Sequence, residues 1–294
     1  MSNAAQPTVS TVREACTAAG LDPHGAELVR DAENEIWRLP AGVIISIARP
    51  GQNEAAAREV RVARWLLAHS IRAVTPLSVK QAVIVANRPV TFWEELPTHE
   101  HGGITDVAET LAQLHALPVP DFYLGQLDPF VRIRERLDAA TSLAAHDRQW
   151  LLDLHDDLAL HWAQGLPAGL PPRAIHGDAW PGNIVRVGEQ SVLMDLERFS
   201  IGPPEWDLVS TAVRARTTGA VTPADYGRFC EVYGYDVTQW QGYGTLAGIR
   251  ELRMVSYAAQ HAARHPAWRN EAQHRVDCLR RRQGPRPWNW RGIM

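Results

Sequence analysis

The chain has 294 residues, with 30 lysines and arginines against 33 aspartates and glutamates, for a formal net charge of −3. That near balance argues against a strongly basic nucleic-acid binder, and the length suits one large domain or two lobes that share a site. Lys80 is the only lysine, so Schiff-base catalysis or a lysine phosphate clamp would have to use that one residue.

Residues 8–20 read as a short helix ending at Gly20. Short apolar alternations follow. Glu35-Ile36-Trp37-Arg38-Leu39 reads as a strand, Pro40-Ala41-Gly42 as a turn, and Val43-Ile44-Ile45-Ser46-Ile47-Ala48 as a β-branched strand. Asn53 is the expected N-cap of a helix running to about 69, with Val60, Ala63 and Leu67 on one stripe. Strand character returns at 82–85 and 90–93 around a turn at 87–89. After Pro97 the pattern turns helical. Val107, Leu111, Leu114 and His115 recur on a helix over 106–117, and a second long helix covers 147–163. One β-like episode spans 173–196, and the remainder is again helical. The expected architecture is α+β. A small N-terminal β-sheet lobe with one helix spans 1–96, and a larger, mostly helical lobe spans 97–294, with a cleft between them.

Other features place the chain more broadly. Cys16, Cys230 and Cys278 are widely spaced, odd in number and form no CxxC. This speaks against a disulfide scaffold or zinc site and for a reducing compartment. The N-terminus lacks the pattern of a signal peptide. No apolar run approaches the ~20 residues that span a bilayer. A cytoplasmic location with no membrane and no nucleic-acid partner is expected. The oligomeric state is not legible.

The most informative stretch is Ala174-Ile175-His176-Gly177-Asp178-Ala179-Trp180-Pro181-Gly182-Asn183, followed by Val192-Leu193-Met194-Asp195-Leu196-Glu197. An apolar strand enters a His-x-Asp turn, Asn183 opens a second strand, and a hairpin returns a third strand ending at Asp195. Two carboxylates and a carboxamide are the oxygen donors that Mg²⁺ accepts beside phosphate oxygens and water. Phosphoryl transfer needs one Asp to take the acceptor proton and an Asp–Asn pair to hold the metal. Asp178, Asp195 and Asn183 fit those roles, and the Asp-to-Asn interval equals that of the protein-kinase loop H-R-D-x-x-x-x-N. The plain alternative is an ordinary turn at 176–178 with a strand-end charge at Asp195.

With these residues in place, the sequence resembles the aminoglycoside phosphotransferase and choline kinase-like superfamily over about residues 25–260. The resemblance rests on His176-Gly177-Asp178 with Asn183, and on Asp195 with Glu197. It rests further on Gly202-Pro203-Pro204-Glu205-Trp206-Asp207-Leu208 and on Leu111-Ala112-Gln113-Leu114-His115. It implies a protein-kinase-like fold and an ATP- or GTP-dependent, Mg²⁺-requiring kinase of small-molecule hydroxyls. Asp178 would be the base, Asn183 and Asp195 the metal ligands, and His176 and Asp207 the braces of the catalytic loop. Ser46 stands where this superfamily places a lysine or arginine over the nucleotide phosphates, with Arg49 three residues on. Glu59 matches the acidic partner of that lysine. Glu94, Glu95 and Leu96 match the connector that holds the purine edge. The loop 31–34 stands where a phosphate-covering loop would lie, but it has no glycine.

The acceptor is less defined. Glu197, Glu205 and Glu251 would favour a cationic acceptor, such as an aminoglycoside, amino sugar or amino alcohol, if they line the cleft. Otherwise each is a surface charge. Two further readings stay open: a non-catalytic kinase-like binding module, motivated by Ser46, and a kinase of peptide Ser or Thr. The segment from Arg286 to Arg291 reads as a terminal strap that buries Trp288 and Trp290, or as a contact for an anionic partner.

Overall fold

The structure is a computed structural model that describes residues 5–31 and 34–292, with side chains from residue 9. The chain divides into two compact units. The first contains the chain up to Gly102 together with Pro120–Leu124 and Pro181–Phe199. The second contains Gly103–Val119, Gly125–Trp180 and the chain from Ser200 onward.

The first unit is built on strands β1 (Glu27–Asp31), β2 (Glu35–Leu39), β3 (Val43–Ile47), β4 (Val83–Val85) and β5 (Arg88–Glu94), paired antiparallel in the order β1-β2-β3-β5-β4. The alternation in β3 sorts its side chains. Val43, Ile45 and Ile47 are buried, while Ile44 and Ser46 on the opposite face are half-buried. Helix α1 (Ala5–Ala19) covers the buried face. Its Val12, Ala15 and Cys16 join Trp37, Leu39, Ile45, Ile47, Val90 and Phe92 in one core. The turn at 40–42 forms as expected, with Gly42 at φ 72° in the left-handed region that a three-residue hairpin loop requires.

Helix α2 (Asn53–Ala68) carries Val60 and Ala63 inward as expected. Leu66 is buried in place of the expected Leu67, which is exposed. Gln52, not Asn53, occupies the N-cap, and its side chain makes no capping hydrogen bond. A three-stranded sheet of β6 (Glu100–His101), β8 (Ile184–Val187) and β9 (Gln190–Leu193) completes this unit, in the order β6-β8-β9. It is tied to the first part of the chain where Leu193 exchanges backbone hydrogen bonds with Arg72 and Val74, both at 2.9 Å.

The second unit is helical: α3 (Ile104–Ala116), α4 (Ile133–Asp138), α5 (Ala145–Ala163), α6 (Glu205–Val213), α7 (Pro223–Tyr233), α8 (Tyr243–Arg264) and α9 (Arg269–Leu279). Strands β7 (Arg173–Ile175) and β10 (Ser200–Gly202) pair within it. Helix α8 is its axis and packs on α4, α5, α6 and α9. Leu246, Ile249, Leu252, Val255, Ala259 and Ala262 form its buried stripe, and Arg250 and Glu251 are buried on the same helix. None of the three cysteines forms a disulfide. Among the described residues no helix is long and apolar enough to cross a membrane.

The β4–β5 hairpin differs from expectation in its turn. Arg88 and Pro89 belong to β5, and the loop is only Ala86 and Asn87, at φ 48° and 63°. Two left-handed residues are what a two-residue hairpin demands. Asn tolerates that region, but Ala pays about 1–2 kcal/mol there. Ala86 is exposed, so nothing packs against its methyl. Ala86→Gly should therefore raise stability by about 0.5–1 kcal/mol after the entropy of glycine is deducted, read as a small upward shift in Tm.

Candidate active site

In the second unit, β7 delivers the chain to His176-Gly177-Asp178. The loop is held from below by Asp207, in the first turn of α6 and fully buried. One Asp207 oxygen accepts the His176 backbone N–H and the other accepts the Gly177 N–H, both at 2.8 Å. His115 of α3 lies 3.2 Å from the same carboxylate through Nε2, and its Nδ1 meets the Tyr233 hydroxyl at 2.8 Å. Gly177 sits at φ 84°, where a side chain would be strained. Its carbonyl accepts from the Trp206 indole at 2.9 Å. His176 is fully buried, and its Nδ1 accepts the Asp178 backbone N–H at 3.2 Å.

Burial alone would raise the Asp207 pKa. The hydrogen bond and charge of His115, with the charge and backbone N–H of His176, outweigh it and hold the carboxyl below its usual range.

Asp178 is different. Its side chain is 41% exposed, while the arginine that holds it is almost wholly buried. Arg250 donates from Nη1 to Asp178 Oδ1 at 3.2 Å and from Nη2 to the carbonyls of Gly177 and Trp206 at 3.0 and 3.2 Å. Its guanidinium carbon lies 4.1 Å from the Trp206 ring centroid. One planar fork thus fixes the carboxylate, the turn behind it and the start of α6, a task a lysine could not reproduce. Sequence reasoning missed Arg250. The available signal was a cation four residues after Leu246, on the buried stripe of an amphipathic helix.

The first unit holds the other part of the motif. Asn183 is buried, and its carbonyl accepts from the Met194 N–H at 2.8 Å, one step beyond the β8–β9 ladder. Asp195 follows directly at φ 54°, ψ 62°. This left-handed turn, uncommon for a non-glycine residue but tolerated by Asp, takes Asp195 out of the ladder. Asn183 and Asp195 are therefore brought to the same end of one hairpin. Glu59 on α2 is close enough to Asp195 and Glu197 to feel both charges. Its carboxyl is pushed up to about 8, by burial first and then by Asp195 and Glu197, against a smaller opposing effect of Arg58. Arg58 itself donates to the carbonyls of Leu124 and Glu197 at 3.4 and 3.2 Å.

The remaining expected residues fall as follows. Ser46 is half-buried in β3, between Ile36 of β2 and Thr91 of β5, and brings no charge to the sheet. Arg49 is exposed beyond the strand end. Glu94 ends β5 with its N–H on Thr75, Glu95 pairs with Arg38 at 2.7 Å, and Leu96 is half-buried. Ala32 and Glu33, of the loop expected to cover phosphates, lie outside the described residues. Glu197 is paired with Arg198 at 3.1 Å. Glu205 is fully buried and accepts the Leu170 N–H at 2.6 Å. Glu251 is 5% exposed, accepts the Thr217 hydroxyl at 2.6 Å, and takes both oxygens' worth of Arg286 at 2.8 and 2.9 Å. Trp288, beyond Arg286, stacks on Trp290, so this segment straps the second unit.

Residues 25–252 match the phosphotransferase enzyme family, and the chain belongs to it. Solved structures share the fold at low identity. An amicoumacin kinase in complex with AMP-PNP, Ca²⁺ and Ami is 13% identical, with a TM-score of 0.67, over 92% of this chain and 93% of that one. A microcompartment-associated aminopropanol kinase is 15% identical, with a TM-score of 0.67, over 96% and 99%. An aminoglycoside phosphotransferase from Streptomyces rimosus is 17% identical, with a TM-score of 0.60, over 84% and 98%. No curated protein sequence matches the chain. The fold is thus the protein-kinase-like α+β fold, and the chain is a phosphotransferase.

Two carboxylates of opposite pKa shift make opposite predictions for stability against pH. Asp207, held low in the folded state, stabilises fully above its unfolded value near 3.8 and loses that contribution as pH falls through its lower folded value. Asp207→Asn should cost about 3–5 kcal/mol at pH 7, because it breaks a buried charged network. The gap to wild type should narrow in acid. Glu59 binds its proton more tightly when folded, so stability falls as pH rises from about 4.5 to about 8. Glu59→Gln should flatten that slope. Tm measured from pH 2 to 9 for the three proteins reads both effects, the Asp207 effect below about pH 4 and the Glu59 effect above it.

Proposed function

We propose that this enzyme moves the γ-phosphoryl group of ATP to a hydroxyl of a small molecule, with Asp178 as the general base. The observation that carries the reading is the setting of Asp178. Its carboxylate is open to solvent, yet it is held by a buried arginine on a loop whose backbone is clamped by a buried aspartate. A base in hydrogen-bond reach of an acceptor needs this rigidity more than an altered pKa. The acceptor hydroxyl gives its proton to Asp178 as its oxygen attacks the γ-phosphorus. The bond from that phosphorus to the β-phosphate oxygen breaks, ADP leaves, and Asp178 later releases the proton to water.

The residues fit a hard divalent cation. Asn183 and Asp195 offer oxygen donors at one end of a hairpin. Among the described residues no group of three or more His, Cys, Asp or Glu side chains could hold a metal by itself. That suits Mg²⁺, which takes one or two protein ligands and keeps water and nucleotide phosphates for the rest. Asn183 and Asp195 would hold it, and it would neutralise charge on the phosphates. The nucleotide would lie on the first unit, against Ser46, Glu59 and the connector Glu94–Leu96. The complexes of related folds with AMP-PNP and ADP support an adenine nucleotide. The acceptors named for the related folds, among them spectinomycin and aminopropanol, support a small molecule over a peptide.

Asp178→Asn should lower kcat by at least about 100-fold and leave nucleotide affinity unchanged in calorimetry; a fully active variant removes Asp178 from its role. Asp195→Asn keeps a residue that tolerates the left-handed turn. It should abolish the part of ATP affinity that depends on Mg²⁺, and equal titrations with and without Mg²⁺ in wild type would contradict the metal site.

A further inference from the structure

The buried and half-buried arginines of the second unit are nearly all matched to acceptors. Arg250 holds Asp178, Arg275 pairs with Glu271 at 2.8 Å, Arg280 with Asp147 at 2.6 Å, and Arg253 donates to the carbonyls of Pro129 and Val131. Arg214 is the contrast. It is half-buried at the end of α6, where the helix widens into a π-turn over Arg214–Thr218, a distortion often found at functional sites. Its Nε is buried with no hydrogen-bond partner, as is that of Arg250, but among the described residues no carboxylate pairs with Arg214. Its guanidinium carbon lies 5.4 Å from the centre of the Trp180 ring. Desolvation is the sole cause that pulls its pKa below the ordinary arginine value.

Trp180 is two residues past Asp178, so their Cα atoms lie within about 7 Å of each other. Arg214 therefore stands beside the loop that carries the base. Its Nε is withdrawn from water without a partner, a cost that an anion accepting from that edge of the half-buried guanidinium would return. Its planar fork suits a carboxylate or a phosphate in two parallel hydrogen bonds. The acids that could have attracted a cation are otherwise engaged: Glu197 by Arg198, Glu205 by the Leu170 amide and Glu251 by Arg286 and Thr217.

Resting on the kinase reading above, we propose that Arg214, seated on Trp180, recognises the acceptor, and that the acceptor is an alcohol bearing an oxyanion rather than an amino alcohol. The hydroxyl would meet Asp178 while the carboxylate or phosphate meets Arg214.

The test uses the full chain with three acceptor panels: hydroxy carboxylates, sugar phosphates, and amino alcohols with amino sugars. ADP release measures turnover. Thermal shift measures binding, also on Asp178→Asn, which binds without turning over. The expected result is turnover and stabilisation by one anionic panel, and which panel responds identifies carboxylate or phosphate. Arg214→Gln should raise the acceptor KM at least about tenfold with the ATP KM unchanged, and Arg214→Lys should fall between. Turnover confined to the cationic panel, or an Arg214→Gln acceptor KM equal to wild type, overturns the proposal and leaves the kinase standing. Anions that stabilise wild type but not Arg214→Gln, without ADP release, uphold the site and overturn the kinase reading. If no anion stabilises wild type, the proposal falls.

Discussion

A buried carboxylate that accepts two consecutive backbone amides fixes the chain at two points with one side chain. Asp207 does this to His176 and Gly177, and the loop that carries Asp178 inherits its position from that pair of bonds. The arrangement is stable only because the charge is balanced. His115 from α3 and the His176 amide converge on one of its oxygens, and the Gly177 amide meets the other. Remove either and a charge is stranded in the core. Three elements distant in sequence, α3, β7 and α6, are thereby locked around one anion. Asp178 can then be exposed without being loose, since Arg250 restrains it from a buried position on α8.

The first unit solves a different electrostatic problem. It places Glu59, Asp195 and Glu197 near one another and offers Arg58 as a partial counterweight. A lysine on β3 would relieve that crowding. Ser46 does not, although its register between Ile36 and Thr91 leaves it on the half-buried face. Burial first, and then that crowding, push the Glu59 carboxyl up to about 8, which favours its neutral form. A bound cation would satisfy the same excess of negative charge.

Much of this was legible in the sequence where the determinants are local. The 35–47 hairpin follows from β-branched alternation and Gly42, and the His176–Asp195 motif follows from spacing. Misses arose where distant parts of the chain decide. Strand β1 is exposed along its length, and β6 and β10 are two or three residues long, so none shows a clear apolar pattern. Arg250 and Arg214 look like ordinary helix cations until their helices are packed. Glu205 and Glu251 were read as acids for the acceptor, yet the partners that claim them lie 35 residues away in each case. The αL turn at Asp195 has no sequence signature beyond the residue type.

The hairpin of β8 and β9 belongs to the first unit although α3, α4, α5 and β7 of the second precede it in the chain. On the ribosome, the sheet of residues 27–94 emerges early, but the strands that pair with β6 and with Arg72–Val74 arrive a hundred residues later. The first unit is therefore finished only after α3 to α5 have been made. Because long-range pairing is slow to form, the emerging chain spends that interval with an incomplete first unit and unpaired strand edges.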